Sequence, residues 1–177
     1  MRKCRVCRTP YEPTRPLQTC CGPSCAIEQA KAARIKKEAK EDREKKLKLK
    51  SRATWMREAQ ASFNRWIRAR DAGHPCISCG RHHQGQIHAG HFLGTGARPE
   101  LRFDERNVNL QCQPCNTHLS GNLLMYRIGL IAKIGLAAVE ELEGPHEPKK
   151  YTIPELQAIK AEYIRKTKEL QRRDYTL

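Results

Sequence analysis

Two pairs of cysteines, Cys76-Ile77-Ser78-Cys79 and Cys112-Gln113-Pro114-Cys115, sit 32 residues apart in the 177-residue chain. Two Cys-x-x-Cys knuckles can close a tetrahedral thiolate site around zinc, with no open position for a substrate. A site of that kind is structural. The stretch between the knuckles carries the groups that could do chemistry: His82, His83, His88 and His91, with Asn107 and Asn109 near its end. Asn116 follows the last cysteine directly, and His118 and Asn122 come soon after. Hydrolysis of a phosphodiester needs a base to activate water and a cation to neutralise charge on the phosphorus oxygens. Imidazole serves as base near neutral pH, and amide oxygens and imidazole nitrogens can hold a divalent ion. Taken singly, each of these residues is more often a surface or core residue than a catalytic one. Their arrangement is more specific than its members.

A second cysteine set opens the chain: Cys4 and Cys7, then Cys20, Cys21 and Cys25. Cys4-x-x-Cys7 pairs with Cys21-x-x-x-Cys25 as the tighter knuckle, and Cys20 is the alternative to Cys21. Two four-cysteine sets account for eight of the nine cysteines and imply two zinc ions per chain. No apolar run is long enough to span a membrane and no signal peptide is evident, so the protein is expected in a reducing cytoplasm. The cysteines then read as metal ligands rather than disulfides.

Lys and Arg number 34 against 19 Asp and Glu, a formal charge of +15. Such an excess commonly marks a polyanionic partner, usually nucleic acid, the alternative being a merely soluble basic protein. With 38% hydrophobic residues the core must be modest, and metal sites would supply part of its stability.

The elements that must position these groups follow from composition and period. Residues 1–25 form the N-terminal knuckle. Residues 26–53 are a basic helical linker without an apolar face, in which Lys45 and Lys46 could grip phosphates, although interspersed acids also fit a merely solvated helix. The core that would carry this chemistry is expected over 54–146. It opens with a helix in which Trp55, Ala59, Phe63, Trp66 and Ile67 share one face. It closes with a helix whose apolar stripe reads Leu123, Leu124, Ile128, Ile131 and Ile134, with Gly135 a break. Residues 147–177 carry a last helix, opened by the capping pattern Thr152-Ile153-Pro154-Glu155. Its stripe of Leu156, Ile159, Tyr163, Thr167 and Leu170 fits either packing within the chain or a homodimer contact.

A knuckle, a hairpin ending in His, an Asn five residues before a second knuckle and a ligand directly after it resemble the HNH, or ββα-metal, nuclease pattern. Here those are Cys76/Cys79, His91, Asn107, Cys112/Cys115 and Asn116. An Asn directly after the last zinc cysteine is similar to the junction-resolving endonuclease VII version. Longer stretches, including Ala89-Gly-His91, Leu101-Arg-Phe103, Glu105-Arg-Asn107, Ser120-Gly-Asn122 and Ala158-Ile-Lys-Ala-Glu-Tyr163, resemble the NinG (Rap) recombination endonucleases of lambdoid phages.

That resemblance implies an α+β fold: a small zinc-stapled ββα-metal core with long flanking helices and an N-terminal zinc knuckle. It implies a phage protein acting in the bacterial host on branched DNA such as D-loops and Holliday junctions. His91 would be the general base and Asn107 would orient the loop that carries it. Asn116, with or without His88, would hold a catalytic Mg²⁺ or Mn²⁺, and Arg98 or Arg102 would clamp a phosphate. Where that family commonly carries Asp-Ala-Gly-His, this chain reads His88-Ala89-Gly90-His91. A nitrogen in place of a carboxylate oxygen favours a softer ion than Mg²⁺ if position 88 is a ligand. The rival reading is a catalytically silent zinc-finger DNA-binding or scaffold protein. A thiol redox protein is a third, weakened because both Cys-x-x-Cys pairs have partners for zinc.

Overall fold

The computed structural model describes residues 1–174 as two units, Met1–Lys50 and the segment from Ser51 onward. The last three residues of the 147–177 segment lie outside the described ones. Both units mix helix with short antiparallel strands, and each holds one cluster of four cysteines that could bind zinc.

In the first unit, strands β1 (Arg2–Lys3) and β2 (Pro10–Tyr11) pair across a tight turn and lead to helix α1 (Pro23–Lys48). Helix α1 has no buried residue, as its lack of an apolar face requires. Its length is supported by pairs at i,i+4 such as Arg34–Glu38 and Lys40–Glu44. Lys45 and Lys46 lie in its last turn, where cations suit the helix dipole.

The second unit is built around the hairpin of β3 (Ile87–His91) and β4 (Val108–Cys112), with His91 opposite Val108 and His88 opposite Gln111. Alternation sends Ala89 and Val108 to one face, and His88, Gly90, Asn109 and Gln111 to the other. Helix α2 (Arg52–Arg70) covers the first face. It starts at Ser51, whose side chain accepts from the Thr54 N–H, and buries Trp55, Ala59, Phe63, Trp66 and Ile67. Helix α5 (Ile153–Asp174) packs along α2. Tyr163 stacks edge-on against Phe63 with centroids 4.7 Å apart, and Leu156 joins Trp55 and Ala59. The Thr152/Glu155 capping box forms, with Thr152 N donating to Glu155 Oε2 at 2.8 Å. The stripes of α2 and α5 therefore face each other within one chain.

Helices α3 (Leu123–Ile134) and α4 (Leu136–Glu143) meet at Gly135, whose φ of +87° suits glycine. The buried face of α3 differs from the stripe expected of it. Tyr126 and Leu130 are fully buried, whereas Leu123, Leu124 and Ile128 are exposed, Leu124 to 74%. The polar end of Tyr126 decides this: its hydroxyl donates to the Gly90 carbonyl at 2.8 Å and accepts from Asn109 Nδ2 at 3.2 Å. A buried polar group needs such partners, and this rotation of α3 supplies them.

Asp71 joins α2, β4 and α3. It is 4% exposed and takes both arms of the Arg70 guanidinium at 2.8 and 2.7 Å, Lys133 Nζ at 3.1 Å and the Leu110 N–H at 3.0 Å. Burial alone would push its carboxyl up, but these hydrogen bonds and charges outweigh it and hold it below the ordinary 3.8. Its contribution is therefore present at neutral pH and is lost as pH falls through the lowered folded value. Asp71→Asn is expected to cost about 2–3 kcal/mol, the worth of hydrogen bonds to a charged group. Urea unfolding at pH 7 should show the loss, and the variant and wild type should converge as pH falls through the lowered folded value. An unchanged midpoint at pH 7 would contradict this role.

Candidate metal and nuclease site

The two cysteine clusters are built on the same turn. Cys4 N donates to the Thr9 carbonyl and Arg8 N to the Cys4 carbonyl, at 3.0 and 3.1 Å. Cys76 N donates likewise to the Arg81 carbonyl and Gly80 N to the Cys76 carbonyl, at 3.0 and 2.9 Å. The residue that closes each turn has positive φ, +63° at Arg8 and +66° at Gly80. In each set the four Sγ atoms lie within 4.8 Å of one another. Individual separations of 3.5 Å (Cys7–Cys21), 3.7 Å (Cys21–Cys25) and 3.9 Å (Cys79–Cys112) are far from a disulfide. Four sulfurs at about 2.3 Å from a tetrahedral zinc would be about 3.8 Å apart, so both sets fit the ion. Cys20 stands outside: its Sγ donates to Gln29 Oε1 at 2.9 Å.

The thiols show the strain of four donors placed side by side. The Cys21 thiol beside Cys25 pushes it up to about 12, and burial does the same to Cys112. Burial also works against ionising Cys79, but the His83 ring 3.3 Å away draws it down to about 6. A cation at the centre would relieve this repulsion in either cluster.

The second cluster places Asn116. Cys112 ends β4, and Cys115 and Asn116 lie in one π-helical turn, Pro114–His118. Asn116 and His91 both line an open polar cleft of about 410 Å³, together with Thr95 and Ser120. His91 Nε2 lies 3.1 Å from the Arg102 carbonyl, an acceptor only, so Nε2 carries the ring proton. Burial, seconded by the Arg102 charge, lowers the His91 pKa against the opposing pull of that carbonyl. At neutral pH the ring is therefore uncharged, and Nδ1 is its basic nitrogen.

Asn107 holds the segment that follows. It is fully buried; its Oδ1 accepts from Leu93 N at 2.8 Å and its Nδ2 donates to the Leu93 and Leu101 carbonyls, both at 3.1 Å. These bonds close the loop between β3 and Leu101, and so fix the Arg102 carbonyl that His91 uses.

His88 does not line the cleft. It lies beneath Asn116, with its Nδ1 3.0 Å from Asn116 Nδ2, and its buried Nε2 has no partner. Across the hairpin, Gln111 is fully buried and its Nε2 donates to Ser78 Oγ at 2.7 Å and the Gly121 carbonyl at 2.6 Å. That fixes its Oε1 in the opposite direction, where it too has no partner. A side chain at Gly90 would run into this Oε1 and come within 3.1 Å of Asn116 Oδ1. So the oxygens of Gln111 and Asn116 crowd one glycine, and His88 adjoins Asn116 from the same strand face. His88 Nε2 and Gln111 Oε1 are two buried polar atoms without a protein partner, and Asn116 Oδ1, Gln111 Oε1 and an imidazole nitrogen are the donors a cation could use here. The donors are all neutral, so they fit a borderline ion such as Mn²⁺ or Zn²⁺ better than Mg²⁺.

Gly90→Ala is expected to force these amides apart and cost about 1–3 kcal/mol of stability, as overpacking does. Denaturant unfolding with a wild-type midpoint would show that the amides move aside freely.

The expected phosphate clamps separate. Arg98 is committed elsewhere: its guanidinium pairs with Glu100 at 2.6 Å and donates to the Gly144 carbonyl at 2.6 Å and the Leu142 carbonyl at 3.4 Å. It caps the C-terminus of α4, where four carbonyls lack helical partners, and has no arm for a phosphate. Arg102 makes one side-chain bond, Nη1 to Gln60 Oε1 at 3.2 Å, and has no carboxylate partner among the described residues.

The profile of the family described as Bacteriophage Lambda NinG protein matches residues 1–174. The chain belongs to the NinG family. Protein ninG of Salmonella phage P22 is 43% identical over 190 residues, covering 96% of this chain and 94% of that relative. Protein ninG of Escherichia phage lambda is 42% identical, covering 96% of this chain and 93% of its own length. Protein ninG of Escherichia phage 933W is 43% identical. No solved structure gives a significant match. The match spans both units of this NinG-family chain, so the two cysteine clusters and the cleft all lie inside the family region. No described helix is long and apolar enough to cross a membrane.

The residue that sequence reasoning left without a role is Gln111. It reads as a polar neighbour of Cys112, and only the pairing of His88 with Gln111 brings it to the site.

Proposed function

We propose that this NinG-family protein is a metal-dependent, structure-specific DNA endonuclease of the HNH, ββα-metal type, acting on branched recombination intermediates in the bacterial host cell. The observation that carries the reading is His91: an uncharged imidazole whose Nε2 is tied to a backbone carbonyl, leaving Nδ1 as base in a cleft shared with Asn116. The order hairpin, zinc-held turn and helix α3 agrees with a ββα core. The substrate class rests on the resemblance to junction-cutting phage enzymes, and the +15 charge agrees with it.

In this reading His91 Nδ1 takes a proton from a water aligned with the scissile phosphorus. The carbonyl of Arg102, fixed through Asn107, holds the ring in the tautomer that this transfer needs. Asn116, which lines the cleft with His91, would be the amide ligand of the ion, with His88 beside its side chain. A divalent ion held there would neutralise charge on the phosphate oxygens and on the leaving oxygen. Zinc in the cysteine clusters is structural, since four thiolates leave no open position.

The test uses a labelled four-way junction and a matching linear duplex with Mg²⁺, Mn²⁺ or Zn²⁺ added singly. The junction should be cut, with Mn²⁺ the better ion than Mg²⁺. His88→Asp supplies a hard anionic oxygen and should raise the rate with Mg²⁺ by about tenfold or more, the scale of a typical outer-ligand effect on metal sites. No cutting with any ion would leave the zinc-stapled DNA-binding scaffold as the better reading.

A further inference from the structure

The second unit has a cationic cavity larger than the cleft of His91. It is a groove of about 540 Å³ between the first turns of α2 and the coil joining α4 to α5. Arg52 and Arg57 line it from α2, Lys149 and Lys150 from the coil, and Arg102 from the segment before β4. No carboxylate lines it. Of the five cations only Lys149 has an acidic partner among the described residues, Glu155 at 3.5 Å. Arg57 reaches no further than Thr54 Oγ1 at 3.4 Å, and Arg102 donates to Gln60. Arg70, Arg98, Arg106 and Arg127, by contrast, are each paired with a carboxylate at 2.6–2.9 Å, and what sets the groove apart from single arginines unpaired among the described residues, such as Arg65, is that its cations line one cavity.

Five mutually repelling cations around one concavity cost free energy unless an anion joins them. They come from three separate segments and face one open groove, which suits a chain of phosphates spaced along a strand. The floor is rigid. Tyr151 is buried, its hydroxyl donates to the Glu100 carbonyl at 3.1 Å, and its ring packs edge-on against Phe103 at 5.1 Å. A packed aromatic floor ringed by Lys and Arg side chains suits a surface that tracks the backbone without base readout.

Arg102 ties the groove to the cleft. Its guanidinium lines the groove while its carbonyl accepts from His91 Nε2. A strand held by that guanidinium is thereby set in register with His91.

We infer that the Arg52/Arg57/Arg102/Lys149/Lys150 groove is a DNA-strand docking site, which grips the sugar–phosphate backbone away from the bond to be cut. The inference rests on the nucleic-acid part of the proposed function but not on its catalytic part.

The experiment compares two variants of the full-length, zinc-loaded protein with equal charge removed. Arg57→Gln/Lys150→Gln neutralises the groove. Arg65→Gln/Lys168→Gln neutralises exposed cations beside a different cavity, near Ser62 and Gln171. Affinity for a four-way junction and for linear duplex is read by fluorescence anisotropy across a salt series, without added divalent ions so that nothing is cut. Zinc content and the thermal midpoint are read on the same samples. The groove variant should bind about tenfold or more weakly near physiological salt, with the log–log salt slope shallower by about 2 units. The control should stay within about threefold of wild type, as expected for charges that touch no phosphate. Equal losses in the two variants would overturn the groove assignment and leave only a diffuse effect of net charge. Wild-type binding by the groove variant would overturn it as well. Because binding alone is read, a protein that binds through the groove but never cuts would refute the nuclease reading and leave this one standing.

Discussion

Cys112→Ser is expected to abolish the cooperative folding of the second unit and to reduce zinc from two ions per chain to one. The structural grounds lie in what the sulfur joins. Cys112 ends β4, pairs with Ile87 in the hairpin, and is buried with Cys76 and Cys115. Its thiolate links the strand carrying Gln111 to the first knuckle and to the turn that carries Asn116. Binding of a structural zinc is worth roughly 10–16 kcal/mol in small finger peptides, comparable to the whole stability of about 5–15 kcal/mol of an ordinary domain. Cys7→Ser should behave differently. It should also lose one zinc, from the first cluster, while the second unit keeps its cooperative unfolding, because its core clusters contain no residue before Trp55. Cys20→Ser should keep both ions, since that sulfur is bonded to Gln29 rather than to the tetrad. Elemental analysis with denaturant unfolding on the three variants checks the set. Wild-type zinc in Cys112→Ser would remove the four-thiolate site from the account.

What could be read from the sequence was whatever depends on local period or spacing. The face of α2 from Trp55 to Ile67 follows from a clean helical repeat, and the Thr152/Glu155 box from a motif four residues long. Cysteine spacing brings out both tetrads because a knuckle is a local turn, the same one at Cys4 and Cys76. The misread features all depend on partners distant in the chain. The stripe Leu123, Leu124, Ile128 looked like the inner face of α3, but Tyr126 has a hydroxyl to satisfy at Gly90, 36 residues earlier, and that sets the rotation. Arg98 looked free for phosphate until α4 ended beside it, 46 residues on at Gly144. Gln111 needed the hairpin register before it could be set against His88. The cationic groove required the coil around Lys149 to return to the start of α2. None of these encounters leaves a periodic trace in the sequence.

The second large effect concerns His91, and it is an effect on rate alone. His91→Ala should leave zinc content, folding and junction affinity close to wild type. The residue is a strand-end side chain whose ring is hydrogen-bonded to the Arg102 carbonyl, and the tetrads do not include it. Ground-state binding is dominated by phosphate contacts made elsewhere. Proton abstraction acts on the transition state, and a general base typically supplies about 10²–10⁴-fold. Asn116→Ala should lose activity by another route, through affinity for the ion, so raising Mn²⁺ should recover part of its rate but none of that of His91→Ala. Asn116→Asp should retain activity, because a carboxylate is a good ligand for hard ions.

The decisive measurement is single-turnover cleavage of a labelled four-way junction by wild type and by His91→Ala, at saturating protein and saturating Mn²⁺. Saturation removes differences in DNA and metal affinity, so the ratio of rates reports the chemical step. The account predicts a fall of at least about 10²-fold with unchanged zinc content and junction affinity. A folded, zinc-loaded His91→Ala protein that cuts at the wild-type rate would contradict it.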